Sequence, residues 1–227
     1  CGTLFILCSV VFVIIVFYAL KLKPSKQAMP RDTIIPLSYQ VAMTLLFCAY
    51  VITYMTGTFS CLHYLAKGSE MSQNSIIGFS LFTSICFFTA ALAVDRVGYQ
   101  LVWMNGGCTL VLLSLLFFYW VTEIPISIPL FVLSIGLATA TVPGLSLIPY
   151  VLKRGMWGRG FALLVFSVTS GRCISGLFTK FFSTYLSFFS VGFVFVATIL
   201  ISAMNILDYR YGRIINKNRK IWRDLIW

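Results

Sequence analysis

Residues 158–182 read GRGFALLVFSVTSGRCISGLFTKFF, and this stretch decides what kind of protein the chain is. Arg159 and Lys180 lie near its two ends, and Arg172 is the one charge between them. At about 1.5 Å of rise per residue, roughly 20 apolar residues cross a bilayer as a helix. A guanidinium at that depth costs roughly 2.5–3.5 kcal/mol on insertion scales, so it is kept for function and faces protein or water. The six acidic residues (Asp32, Glu70, Asp95, Glu123, Asp208 and Asp224) fall in loops, at span ends or in the tail. None is placed to neutralise Arg172. Its expected partner is an anionic ligand, a carbonyl cluster, or a carboxylate on chain not included.

At about 100° per residue, Arg172 shares a face with Val165, Val168, Thr169, Ser175, Gly176, Thr179 and Ser183. Leu163, Phe166, Ile174, Leu177 and Phe181 lie opposite, with Ser170 among them. Lipid is expected on the bulky side, with Arg172 looking into the bundle. The alternative is snorkelling towards the nearer membrane surface.

Working outward, the same apolar pattern recurs. Hydrophobic residues make up 59% of the chain and charged residues 10%, the composition of a multi-span membrane protein. Seven spans are expected: Gly2–Leu20, Leu37–Phe59, Ser75–Val94, Leu101–Val121, Ile126–Leu152, Gly158–Phe182 and Ser187–Leu207. Short connections make neighbours antiparallel, giving an all-α bundle. The chain opens at Cys1 already inside an apolar run, so an upstream part is expected.

Lys and Arg set the direction. With the segment after the first span in the cytosol, only Lys67 and Lys180 fall on the far side and Arg172 within. The other fourteen of the 17 basic residues are cytosolic. The net charge of +11 is thus a topology signal that calls for no nucleic acid. The expected surroundings are a lipid bilayer, a multi-pass arrangement and a cytosolic C-terminus.

Enzyme chemistry lacks material: there is no phosphate loop, and the one histidine, His63, sits at a membrane interface without a buried Ser or Cys partner. Seven cysteines (1, 8, 48, 61, 86, 108 and 173) form no CxxC pair and read as small buried hydrophobes. No catalytic residue, metal ligand or cofactor is expected. Within the fifth span, residues 136–144 read GLATATVPG, with Pro149 beyond. Small residues and prolines suit a helix that packs tightly or bends. Asn105-Gly106-Gly107 in the fourth span is a similar weak point.

The short loop between the third and fourth spans contains Asp95, Arg96 and Gly98, and Gly98 with the brevity of the loop forces a tight turn. Two families share such a feature. Rhodopsin-like receptors also have seven spans and an Asp-Arg pair at the cytosolic end of the third. The last span here, Ala203-Met-Asn205-Ile-Leu-Asp208-Tyr, lacks their Asn-Pro-x-x-Tyr, and the first cytosolic loop is long for them. A receptor-like protein without transport is the alternative this leaves.

The chain resembles the major facilitator superfamily over essentially its whole length. That family's loop, approximately Gly-x-x-x-Asp-Arg/Lys-x-Gly-Arg-Arg/Lys, is matched at Asp95, Arg96 and Gly98, while Ala91, Tyr99 and Gln100 depart from it. The resemblance implies that residues 1–20 are the last helix of an N-terminal bundle and 21–36 the basic central loop. Residues 37–207 then form the six-helix C-terminal bundle, and 208–227 a basic cytosolic tail. It implies alternating-access transport of a small solute, with the missing N-terminal half as partner and Asp95, Arg96 and Gly98 as a gating loop. Spans two, five and six would line the cavity, and Arg172, Thr169, Ser175, Tyr54, Tyr50 and Thr139 are the candidate substrate contacts. Thr53 and Thr141 are also polar groups of those spans. Val94-Asp-Arg-Val-Gly-Tyr-Gln-Leu-Val-Trp103, Leu147-Ile-Pro-Tyr-Val151 and Gly158-Arg-Gly-Phe161 are similar to the lysosomal dipeptide-carrier branch. That likeness implies an anionic or zwitterionic solute, a dipeptide or amino acid, and the lysosome as one compartment. No repeat aligns between spans two to four and five to seven.

Overall fold

Three of the helices bury one residue every three or four positions, and this spacing sets how the bundle packs. In the computed structural model they are α1 (Leu37–Gly68), α3 (Gln100–Trp120) and α6 (Leu186–Arg210). The buried rows are Tyr39, Met43, Phe47, Tyr50, Tyr54, Thr58 and Cys61 on α1, and Leu101, Met104, Cys108, Val111 and Leu115 on α3. On α6 they are Leu186, Ser190, Val194, Ala197, Ile201, Met204 and Asp208. A spacing near 3.5 keeps one seam facing its partner along the whole helix. The other long helices are α2 (Gln73–Val97), α4 (Ser127–Val151) and α5 (Trp157–Phe181). Short 3₁₀ turns at Arg154–Met156 and Ser183–Tyr185 precede α5 and α6. The structure describes residues 35–68, 73–121, 125–152, 154–212 and 214–215. The expected first span and most of the expected central loop and tail lie outside the described residues.

All six helices are long and apolar enough to cross a membrane. Their outward faces carry Leu45, Ile85, Phe88, Phe166, Phe181 and Phe195, each more than half exposed. Surface of that kind is what an integral membrane protein turns to lipid.

The packing partners form a regular pattern. α3 lies along α4, and α1 along α6; α5 leans on α1, and α2 on α4; α3 meets α6 across the middle. Exchanging α1 for α4, α2 for α5 and α3 for α6 leaves these five pairings unchanged. Helix direction reverses from one helix to the next, so the second three-helix set is inverted relative to the first.

Glycine sets the closest approaches. A Cβ on Gly57 of α1 would lie 2.6 Å from Val194 and 2.8 Å from the Ser190 carbonyl of α6. On Gly107 it would strike the Ala140 backbone of α4, and on Gly136 it would lie 2.8 Å from Val111 of α3. The GLATATVPG stretch therefore packs tightly at its Gly136 end, and α4 continues through both Pro143 and Pro149. Gly106 meets nothing within 4 Å.

Polar side chains bridge the same seams. Ser114 donates to the Pro129 carbonyl at 2.6 Å, Thr83 and Ser134 are 2.9 Å apart, and Asn205 donates to the Leu101 carbonyl at 3.2 Å. At the end where α1 begins and α6 ends, Asp208 is wholly buried. Its Oδ1 accepts from the Tyr39 hydroxyl at 2.9 Å and from the Ile215 amide at 3.0 Å. α6 thus runs to Arg210, past the expected boundary at 207, and Asp208 belongs to the bundle. α1 likewise extends to Gly68, nine residues beyond the expected Phe59, carrying exposed His63 within its helix.

Candidate functional site

α5 is held to α1 by small residues, and that docking fixes where Arg172 stands. The buried face of α5 is Gly160, Leu164, Ser167, Gly171 and Ser175. A Cβ on Gly171 would lie 2.7 Å from the Met55 side chain and 2.9 Å from the Ile52 carbonyl. The Thr56 hydroxyl donates to its own helix at Ile52 (2.8 Å) and reaches the Gly171 carbonyl at 3.3 Å. Ser60 and Ser175 pair at 3.0 Å.

This corrects the expected orientation of α5. The packing face is centred about 100° from Arg172 on the helical wheel, so Arg172 stands on the flank of the six-helix unit, exposed, and does not look into it. The reason is size: in lipid, helices approach through their smallest residues, with no hydrophobic force to sort bulky from polar faces. Of the residues expected to share Arg172's face, Ser175 is drawn into the seam, and Thr169 and Gly176 stay exposed.

The guanidinium carbon of Arg172 lies over the Phe59 ring of α1, 4.7 Å from its centroid. Among the described residues Arg172 makes no ion pair. Thr169 is one turn away, its hydroxyl donating to the Val165 carbonyl at 2.6 Å.

Tyr50 and Tyr54 are elsewhere, stacked on each other in the core at 5.6 Å between centroids. The Tyr50 hydroxyl reaches the Ala140 carbonyl of α4 at 3.4 Å and accepts from the Cys108 thiol at 3.5 Å. The Tyr54 hydroxyl is buried beside half-buried Thr141 without a well-formed hydrogen bond. Thr139 donates to Ile135 at 2.8 Å and borders Gly107 in the α3–α4 seam. Thr53 bonds the Ala49 carbonyl at 2.9 Å. The six candidate contacts therefore divide: Arg172 and Thr169 on the open flank of α5, Ser175 beneath them in the seam, and Tyr50, Tyr54 and Thr139 among α1, α3 and α4.

The turn from α2 to α3 takes two residues, Gly98 (φ 74°) and Tyr99 (φ 53°), both left-handed. The left-handed tyrosine has no signal in the sequence, since residues other than glycine rarely adopt it. Asp95 is exposed at the end of α2, and the Arg96 side chain lies outside the description. Phe59 carries no signal in the sequence, because nothing in the spacing of α1 and α5 says which ring meets Arg172. Comparisons with protein-family models, with curated proteins and with solved structures each found no match to this chain.

Proposed function

We propose that the protein moves a small anionic or zwitterionic solute, of the dipeptide or amino-acid kind, across a membrane by alternating access. In this reading the six helices are the C-terminal bundle of a major-facilitator-type fold, rocking against an N-terminal bundle around a midplane site. The C-terminus is cytosolic, and the membrane is that of the lysosome, another endomembrane or the cell surface. The carrying observation is Arg172: a charge midway along a membrane-length helix, exposed, and without an ion pair among the described residues. The inverted three-plus-three pairing of the helices supports the same reading, because transporters of this kind nest such repeats within each half. Arg172 anchors the solute carboxylate, and Asp95, Arg96 and Gly98 serve the gate.

The test is uptake into proteoliposomes of labelled amino acids and dipeptides, each beside its carboxyl-amide. Arg172→Lys should lower carboxylate uptake at least about tenfold at unchanged expression, because an ammonium cannot form the two-pronged pair. Normal uptake by Arg172→Ala would overturn the proposal.

A further inference from the structure

A buried or membrane-level cation is usually balanced by a carboxylate, which occupies the guanidinium N–H fork. Arg172 is balanced differently. The face of an aromatic ring attracts a cation through its quadrupole and leaves the in-plane N–H groups unused. We propose that Phe59 is a positioning residue. It holds the Arg172 guanidinium by the ring face, so that the fork stays open for one planar carboxylate; this rests on the transport reading above.

The seam explains why the two groups cannot drift apart. Phe59 is one residue from Ser60 and three from Thr56, which bond Ser175 and the Gly171 carbonyl of α5. Gly171, adjacent to Arg172, is pressed against Met55 and Ile52. Ring and guanidinium are therefore tied on both helices at the nearest turns.

The charge balance narrows the ligand. Lys180 is eight residues further along α5, about 12 Å by helical rise, with its Nζ 5.7 Å from the Phe181 ring. Arg159 lies at the opposite end of α5. One positive charge at the middle of the helix suits a monoanion. A tetrahedral dianion such as phosphate or sulfate would keep an unbalanced charge in a poorly solvated place.

The experiment reads Arg172 itself and needs no knowledge of the natural solute. The full protein in lipid nanodiscs is treated with an arginine-specific glyoxal, and labelling of Arg172 is followed by mass spectrometry. Acetate serves as planar monoanion, sulfate as tetrahedral dianion and chloride as background, all at equal ionic strength. Acetate should slow labelling more than sulfate. Phe59→Leu should weaken acetate protection about fivefold, the factor for about 1 kcal/mol of lost cation–π attraction. Phe59→Trp should restore it, with Phe59→Met replacing the leucine variant if that one does not assemble. Equal acetate protection in wild type and Phe59→Leu (or Phe59→Met) overturns the role of Phe59 and leaves the anchor intact. Stronger protection by sulfate overturns the ligand class. No protection by any anion in the wild-type protein overturns the anchor reading and this inference with it.

Discussion

α2 and α5 occupy equivalent places under the exchange of the first three helices for the last three, and they use those places differently. Each leans on a single principal neighbour and leaves most of its surface open. Along its middle α2 fills that surface with Leu81, Ser84, Ile85 and Phe88. α5 sets Thr169, Arg172 and Cys173 there, beside Val165 and Phe166. The position in the bundle thus does not require a charge, since its counterpart does without one. Arg172 is an addition to the fold rather than a part of its support.

The largest test of that contrast trades the two surfaces. Ile85→Arg, which gives α2 what α5 has, should destabilise the protein in nanodiscs by about 2.5–3.5 kcal/mol. Arg172→Leu should leave the thermal midpoint unchanged or raise it while abolishing carboxylate uptake. A lowered midpoint for Arg172→Leu would make the charge structural and end the asymmetry.

A smaller effect separates how the two helices are seated. Gly171→Val forces atoms into the α1 backbone and should cost about 1–3 kcal/mol, with α5 the first helix to become open to proteolysis. Gly78→Ala on α2 meets nothing within 4 Å and should be neutral or slightly stabilising by the same thermal measurement. Similar losses at both positions would mean that both helices are held alike.

The smallest effect is the pairing of hydroxyls. A double-mutant cycle of Ser60→Ala with Ser175→Ala should give a coupling near 0.6 kcal/mol, and Thr83→Val with Ser134→Ala on the α2–α4 side about the same. A coupling several times larger on the α5 side alone would mean that hydroxyl pairing, rather than close packing at Gly171, is what chiefly ties α5 to α1.

What was readable in the sequence follows from which force dominates where. Hydropathy alone located the six described helices, because burying an unsatisfied backbone in lipid leaves a helix as the only open option. It did not locate the end of α1, since Ser60–Gly68 continues the helix after the apolar run has thinned. Polarity points the Arg172 side of α5 inward, whereas Gly160, Ser167 and Gly171 dock by being small. Asp208 was legible in principle: it continues the row Ala197, Ile201, Met204, and so had to fall on the buried face. The meeting of Arg172 with Phe59 was not, because it depends on how far α5 slides along α1.

The bond between Tyr39 and Asp208 joins residues 169 positions apart. At roughly 5–20 residues per second, a ribosome needs on the order of ten to thirty seconds to make that stretch. α3 and α4 emerge in succession and can pair at once, whereas α5 and α6, the main partners of α1, are the last two helices of the unit to be made. Through that interval α1 waits in the membrane with threonines on its surface. Thr44, Thr53, Thr56 and Thr58 each donate to a carbonyl of their own helix at 2.7–2.9 Å. α1 is thereby made tolerable to lipid before α6 exists.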